Sequence, residues 1–470
     1  MPQSAVLAVF LLYIGALLWR DVRRREGVSG HIWVVVCWVA LVGSRPVSTW
    51  FSTAYDGLES VAQVYDEGNP IERMTYFVLM LYAFAVLVSR RVSLGTFVRT
   101  NVWLCVFFGY WALSILWADA PVVALKRWIK DLGNIAMVLV VLTESDPIAS
   151  SKAVFVRCAA VLAPMSVLFI RFYSDLGRTY HVASGEMMYT GVTTHKNSLG
   201  MLVLVTGIFL LWDTVSRMRE RTESIGVFGW AFDGSLLAMA AILLVQSGSA
   251  TALVCGAIGA ACLLLLKVRW LRRRIRGVLL VLLCLIVLGW AVDSTFDVSG
   301  FIIQDVLGRD RTLTTRTDVW PMLIALNENP IIGTGFNSFW AGQRLDVIYG
   351  QLAIFQAHNG YLETYLNGGY LGVVLLGFVL LAAIHAVNRD VVEDEPFADI
   401  RFALLWVMVI GNLTEASFNK MSILWFAFLL GIVRYVPVRS ADAVPLWQPE
   451  AQDRGPLEQG LRQPQPNTKR

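Results

Sequence analysis

One long polar stretch, about residues 292–356, interrupts a chain otherwise made of apolar runs. It carries Arg309, Arg311 and Arg316, passes through Gly333-Thr334-Gly335-Phe336, and ends at Ala357-His358-Asn359-Gly360-Tyr361. The three guanidinium groups fall within eight positions. Each presents a planar fork of donors that fits phosphate oxygens two at a time and never loses its charge. Histidine is the side chain whose unperturbed pKa allows proton transfer near neutrality. Cations to hold an anionic leaving group, with an imidazole to take a proton, are parts for group transfer from a phosphorylated donor. If the chain is helical from Thr315, Arg316 and Trp320 lie four apart on one face. Glu363 is close enough in sequence to orient or charge-tune the His358 ring. The same residues also fit a solvated loop whose arginines pair with Asp310 and Asp318, closed by a histidine that bonds its own backbone at a helix entry.

A second polar segment runs from Arg171 to Asn197 and offers Arg178, His181, His195 and Lys196 at the mouth of a helix. Asn197 or Ser198 is suited to cap that helix, whose N-terminus would then favour an anion. Capping together with snorkelling cations is the alternative. His31 and His385 sit at other helix ends and read as structural. No GxxxxGK[ST] loop, HExxH or Gly-x-Ser-x-Gly occurs, and the outward segments have no Asp-x-Asp to hold a divalent metal. The expectation is chemistry without a metal or cofactor, and without nucleic acid as a partner.

The elements that must position these residues are membrane helices. Apolar residues make up 56% of the chain and charged residues 16%, with a mean hydropathy of +0.59; soluble domains carry about 25% charged residues. A span needs roughly 20 apolar residues. Helices are expected near 4–19, 31–50, 71–89, 101–117, 132–143 with its flanks, 153–172, 196–212, 229–246, 250–267, 277–292, 361–387, 401–414 and 421–436. That is an all-α polytopic bundle of about 12–13 spans over 1–440, with a catalytic loop at about 292–360. A Pro- and Gln-rich tail over 441–470 has the composition of a disordered segment. The N-terminal run ends in Arg20, Arg23, Arg24 and Arg25 rather than at a small-residue cleavage site, so it reads as the first span. The six cysteines all lie in apolar segments without a CxxC pair, as buried or lipid-facing thiols do.

The net charge of +4 matters less than its placement. Arg20–Arg25, Arg90-Arg91 with Arg99, Arg217/Arg219/Arg221 and Lys267–Arg276 alternate onto one side, which the positive-inside rule makes cytoplasmic. The long loop then faces out, into the periplasm of a diderm cell. Ala118–Asp131 resists this pattern: it carries Lys126, Arg127 and Lys130 yet falls outside. A short interfacial helix would explain it, and so would a different span count.

Taken in order, these pieces resemble the bacterial O-antigen ligase and exopolysaccharide/O-antigen polymerase family. The resemblance rests on Gly43-Ser44-Arg45-Pro46, Asn69-Pro70-Ile71-Glu72-Arg73, Trp111-Ala112-Leu113-Ser114 with Trp117, and Asp175-Leu176-Gly177-Arg178. It continues through Gly191-Val192-Thr193-Thr194-His195-Lys196-Asn197-Ser198-Leu199-Gly200, Ser247-Gly248-Ser249-Ala250-Thr251, Leu313–Trp320, Gly333–Phe336 and His358–Glu363. It implies a metal-independent glycosyltransferase at the outer face of the inner membrane, using glycans on undecaprenyl diphosphate. Ligases pass the glycan to lipid A–core; polymerases pass it to another lipid-linked repeat. By the resemblance, Arg316 binds the diphosphate and His358 helps activate the acceptor hydroxyl. Arg309, Arg311, Arg178, His195, Lys196, Asn359, Glu363 and Trp320 are the supporting set for diphosphate or glycan. Ligase-like members carry an arginine where this chain has Ser249, a departure that favours the polymerase branch. Membrane lipids, a glycan or lipid acceptor and a chain-length regulator are the expected partners.

A transporter or flippase of lipid-linked sugars also needs many spans and basic surfaces. It would place its cations along a central cavity, whereas here they cluster in an outer loop.

Overall fold

A computed structural model describes residues 3–51, 69–180, 185–220, 227–275, 316–352, 354 and 356–435. The chain is an all-α, multi-pass membrane protein. Among the described residues one antiparallel hairpin, Arg178–Tyr180 with Met187–Tyr189, is the sole sheet. By length and apolarity six described helices can cross a bilayer: Gln3–Arg24, Pro70–Ser89, Pro147–Phe172, Lys196–Met218, Gly229–Gln246 and Gly360–Glu393. A seventh forms if Leu94–Thr100 and Val102–Trp117, bent by 103°, count as one span. Shorter apolar helices lie at Ile32–Val42, Ala250–Leu265 and Ile423–Ile432, and Ala398–Gly411 joins them. The span expected over 277–292 and the tail from 441 lie outside the described residues.

Helix starts follow local chemistry. Asn69 and Asp146 cap helices that open with Pro70 and Pro147, where a missing N–H costs nothing. Ser249 and Ser422 cap the helices that follow them. Pro147–Phe172 is the central element and is mostly buried within the bundle, whereas Pro70–Ser89 is mostly exposed at the lipid boundary. Small residues let backbones close up, as packing within lipid requires. A Cβ on Gly133 would meet the Trp38 ring at 2.4 Å, and one on Gly259 would meet Ile208 at 2.5 Å.

Following the helices end to end, one end of the bundle gathers buried ion pairs. Arg25 and Arg157 each donate to Asp21 at 2.8 Å, Arg24 and Arg25 hold Asp213, and Arg20 and Arg217 hold Asp233. Lys267 and Arg272 share Asp399, and Arg401 and Arg434 share Asp390. Arg24, Arg25, Arg217, Lys267 and Arg272, among the loop cations that mark one side of the sequence, are therefore paired with buried carboxylates.

Two expectations need correction. Ala118–Asp131 is not a separate interfacial helix: Pro121–Leu142 is one helix of 22 residues. Its second half packs in the core while Lys126 stays exposed, so one amphipathic element serves both roles. Asp131 is consequently a carboxylate inside the bundle, accepting from Trp425 Nε1 at 2.7 Å and Asn134 Nδ2 at 3.0 Å. The run expected over 361–387 is not one straight span either. Gly360–Glu393 is broken at Gly369 (φ 59°, ψ −163°). The segment around Ile331–Gly335 fills the break. Thr334 and Gly335 N–H donate to Leu366 and Asn367 carbonyls, and Tyr370 and Leu371 N–H donate back to Pro330 and Ile331. A Cβ on Gly333 would lie 2.4 Å from Asn367 C, and one on Gly369 would lie 2.3 Å from Ile331 C, so both positions need glycine. That exchange fastens the Gly333–Phe336 motif to the site described next.

Candidate active site at the His358 turn

The site begins with Ala357, pinned through both backbone groups. Its N–H donates to Glu363 Oε1 at 2.8 Å, and its carbonyl accepts from Trp320 Nε1 at 3.0 Å. Trp320 belongs to the helix Arg316–Ala325, so the arginine that opens this helix stands one turn from the residue docked beside His358. The four-residue spacing expected of Arg316 and Trp320 is helical. His358 then adopts the left-handed region (φ 51°), a conformation that costs a non-glycine residue about 1–3 kcal/mol and persists only where the surroundings enforce it. Asn359 supplies the next constraint, accepting from Tyr361 and Leu362 N–H at 3.0 Å as helix cap. Gly360 N–H donates to Asn412 O at 2.8 Å. A Cβ there would fall 2.0 Å from Asn412 Oδ1, so the chain can pass only as glycine.

The His358 ring is partly exposed, with Nδ1 3.6 Å from Glu415 Oε2 and 3.3 Å from Gln356 Nε2. Glu363 does not orient the ring, contrary to expectation. It folds back over its own helix start to Ala357 N–H, and accepts from Trp340 Nε1 at 2.8 Å with Lys420 Nζ at 3.4 Å. Glu415 takes the position beside the imidazole. A small cleft next to Glu363 is lined by Trp111, Phe336, Asn337, Asn367, Phe418 and Lys420. Further cations border this end: Arg127 donates to Asn337 O at 2.5 Å, and Arg344 donates to Asp119 at 2.6 Å.

The second polar segment reaches the same place. Asn197 Nδ2 donates to Glu415 Oε1 at 2.8 Å. His195, rather than Asn197 or Ser198, acts at the helix start, its Nδ1 accepting from Asn197 N–H at 3.2 Å. Lys196 opens the helix Lys196–Glu220, half-buried. Arg178 holds the hairpin instead: Nε donates to Ile170 O at 2.8 Å and the guanidinium lies 5.9 Å from the Tyr189 ring centroid. Arg45 and the Gly191–Thr193 turn, two separate motifs in the sequence, meet directly. Its guanidinium donates to Leu176 and Gly191 carbonyls at 2.6 and 2.8 Å, and burial lowers its pKa from the usual guanidinium value. Arg309, Arg311 and His181 lie outside the described residues. Among the described residues no three His, Cys, Asp or Glu side chains gather to share a metal ion.

Sequence reasoning missed Glu415, Lys420, Asn337 and Arg344. The signal for the first two was a short run, Asn412-Leu413-Thr414-Glu415 to Lys420, placing both charge signs between two apolar segments.

A multi-pass helical bundle with ion pairs at one end and the His358 turn facing Glu415 at the other defines a class, the multi-pass membrane proteins with a polar site at a helix end. Residues 234–377, which contain Arg316 and His358, match the O-Antigen ligase family (Wzy_C). Over 377 residues the chain is 27% identical to the Exopolysaccharide production protein ExoQ of Rhizobium meliloti (strain 1021), covering 77% of this chain and 83% of that one. The resemblance drawn from the sequence motifs therefore holds.

Proposed function

We propose that the chain works in exopolysaccharide or O-antigen biosynthesis as a metal-independent glycosyltransferase, extending glycans carried on undecaprenyl diphosphate. The acceptor hydroxyl attacks the anomeric carbon of the donor glycan and forms the new glycosidic bond. The anomeric C–O bond to phosphate breaks, and the diphosphate leaves with the electron pair. His358 takes the hydroxyl proton, and Arg316, with Arg309 and Arg311 from the same loop, balances the charge on the leaving diphosphate. The observation that carries this reading is the Trp320–Ala357 hydrogen bond, which seats the Arg316 helix against the His358 turn. Electrostatic support of a leaving group is commonly the largest single contribution to such catalysis.

The cation-rich end of the bundle lies opposite His358, which by the positive-inside rule favours a periplasmic site in a bacterial inner membrane. Ser249 favours polymerisation over ligation to lipid A–core. It caps its helix with 3% exposure and packs against Gly200, where an added Cβ would sit 2.9 Å from the Ser249 Cβ. The partners on this reading are a lipid-linked donor, a lipid-linked glycan acceptor and a regulator of chain length.

The test is glycan lengthening by purified protein in proteoliposomes. Wild type should lengthen the lipid-linked glycan, and His358→Ala should slow it about 10²–10⁴-fold, the usual contribution of a general base. Movement of the donor across the bilayer with no new glycosidic bond would instead identify a flippase.

A further inference from the structure

We infer that Glu415 is the positioning residue of His358, fixing its proton on Nδ1 and leaving Nε2 as the base. This rests on His358 being the base proposed above.

The two oxygens of the carboxylate face different residues. Oε1 accepts from Asn197 Nδ2 at 2.8 Å, and Oε2 is the oxygen facing His358 Nδ1, at 3.6 Å. That separation is ion-pair range rather than a formed hydrogen bond, and bonds of this kind often tighten only when substrate is bound. An ionised carboxylate can only accept. An unprotonated Nδ1 beside it would set lone pair against lone pair, so the neutral ring places its hydrogen there. Gln356 places its Nε2 3.3 Å from the same nitrogen; turning that amide end for end, a choice only its partners decide, brings its carbonyl oxygen to accept from the Nδ1–H. When Nε2 accepts a proton, the resulting imidazolium then finds the Glu415 charge already in place.

The backbone makes the arrangement rigid. Asn412 joins the two segments: its carbonyl accepts from Gly360 N–H, while its side-chain oxygen accepts from Ser417 and Phe418 N–H at 2.8 and 3.2 Å. Glu415 N–H donates to Gly411 O at 2.9 Å. The loop bearing the carboxylate and the turn bearing the imidazole are thus tied to a single asparagine. The Thr194–Asn197 motif gains a role as well, because Asn197 holds the far oxygen of the same carboxylate.

The experiment pairs Glu415→Gln with His358→Ala in the proteoliposome lengthening assay. An orienting carboxylate can be worth up to about 10⁴-fold; at the longer separation here kcat should fall about 10- to 100-fold in Glu415→Gln. The donor KM and thermal unfolding midpoint should stay unchanged, Glu415→Asp should recover part of the rate, and Glu415→Gln should cost nothing further in the His358→Ala background. Histidine-selective ¹⁵N NMR, with His358 assigned by its loss in His358→Ala, should report the Nδ1–H tautomer in wild type and its loss in Glu415→Gln. Wild-type turnover by Glu415→Gln while His358→Ala is impaired, an equal loss in both backgrounds, or an Nε2–H ring in wild type would overturn the inference and leave the proposed function standing. Normal turnover by His358→Ala would remove the parent reading and this one together.

Discussion

The indole of Trp320 donates to the carbonyl of Ala357 at 3.0 Å across 37 positions of sequence, and this bond joins the helix begun by Arg316 to the turn made by His358. Phenylalanine would keep the ring and lose the donor, leaving the Ala357 carbonyl to find another partner. A hydrogen bond of this type contributes about 0.5–1.5 kcal/mol net, so Trp320→Phe should lower kcat/KM for lengthening by about two- to tenfold. Trp320→Ala should lose more, since it also removes the packing. Equal rates for Trp320→Phe and wild type would mean that the two segments are aligned by something else.

Arg316 is assigned to the leaving diphosphate, where a planar fork is worth more than a point charge. Arg316→Ala should reduce kcat about 10²–10³-fold, the scale seen when one electrostatic stabiliser is removed. Arg316→Lys should recover only part of that loss. Lengthening rates at saturating donor measure both, and full recovery by lysine would argue against two-pronged contact.

Gly360 offers a test of geometry alone, because it has no side chain with which to take part in the chemistry. Alanine would bring a methyl group within 2.0 Å of Asn412 Oδ1. That atom cannot retreat without releasing Ser417 and Phe418 N–H. Gly360→Ala should therefore lower the thermal midpoint and the lengthening rate together, because the turn and the Glu415 loop shift as one. Gly377→Ala, on the same helix where nothing lies within 4 Å of an added Cβ, is the matched control and should be neutral.

What the sequence made legible follows from the range of each interaction. Apolar runs report burial locally, so Pro70–Ser89 and Lys196–Glu220 begin within a residue of their expected starts. The Arg316–Trp320 face was legible for the same reason, being a matter of helical spacing. Glu415 was not, because its partners His358 and Asn197 lie 57 and 218 positions away, and no periodicity encodes such a meeting. Glu363 misled by proximity: five residues from His358 along a helix start, it satisfies the N–H of Ala357 instead. The break at Gly369 had a visible cue in Asn367-Gly368-Gly369, set inside an apolar run long enough to hide it.

The opposite end of the bundle yields a prediction of the reverse kind, in which stability moves and chemistry does not. Asp21 is 4% exposed and accepts from both Arg157 and Arg25. Removing one partner of a buried pair leaves a charge that solvent cannot reach, at a cost of about 3–5 kcal/mol. Asp21→Asn should therefore lower the thermal midpoint in detergent substantially. Arg24, which also reaches Asp21 at 3.3 Å, and Arg25 keep Asp213 at 3.0 and 2.9 Å, so Arg157, 2% exposed, is the charge left uncompensated. Replacing both partners by apolar residues removes that charge as well, so Asp21→Leu with Arg157→Met should be more stable than Asp21→Asn alone. Below its unfolding range each variant should lengthen glycan at close to the wild-type rate per folded molecule, because no link in the His358–Glu415–Asn197 chain passes through this end. A rate loss in the double variant that exceeds its loss of folded protein would show that the buried ion pairs are coupled to the site.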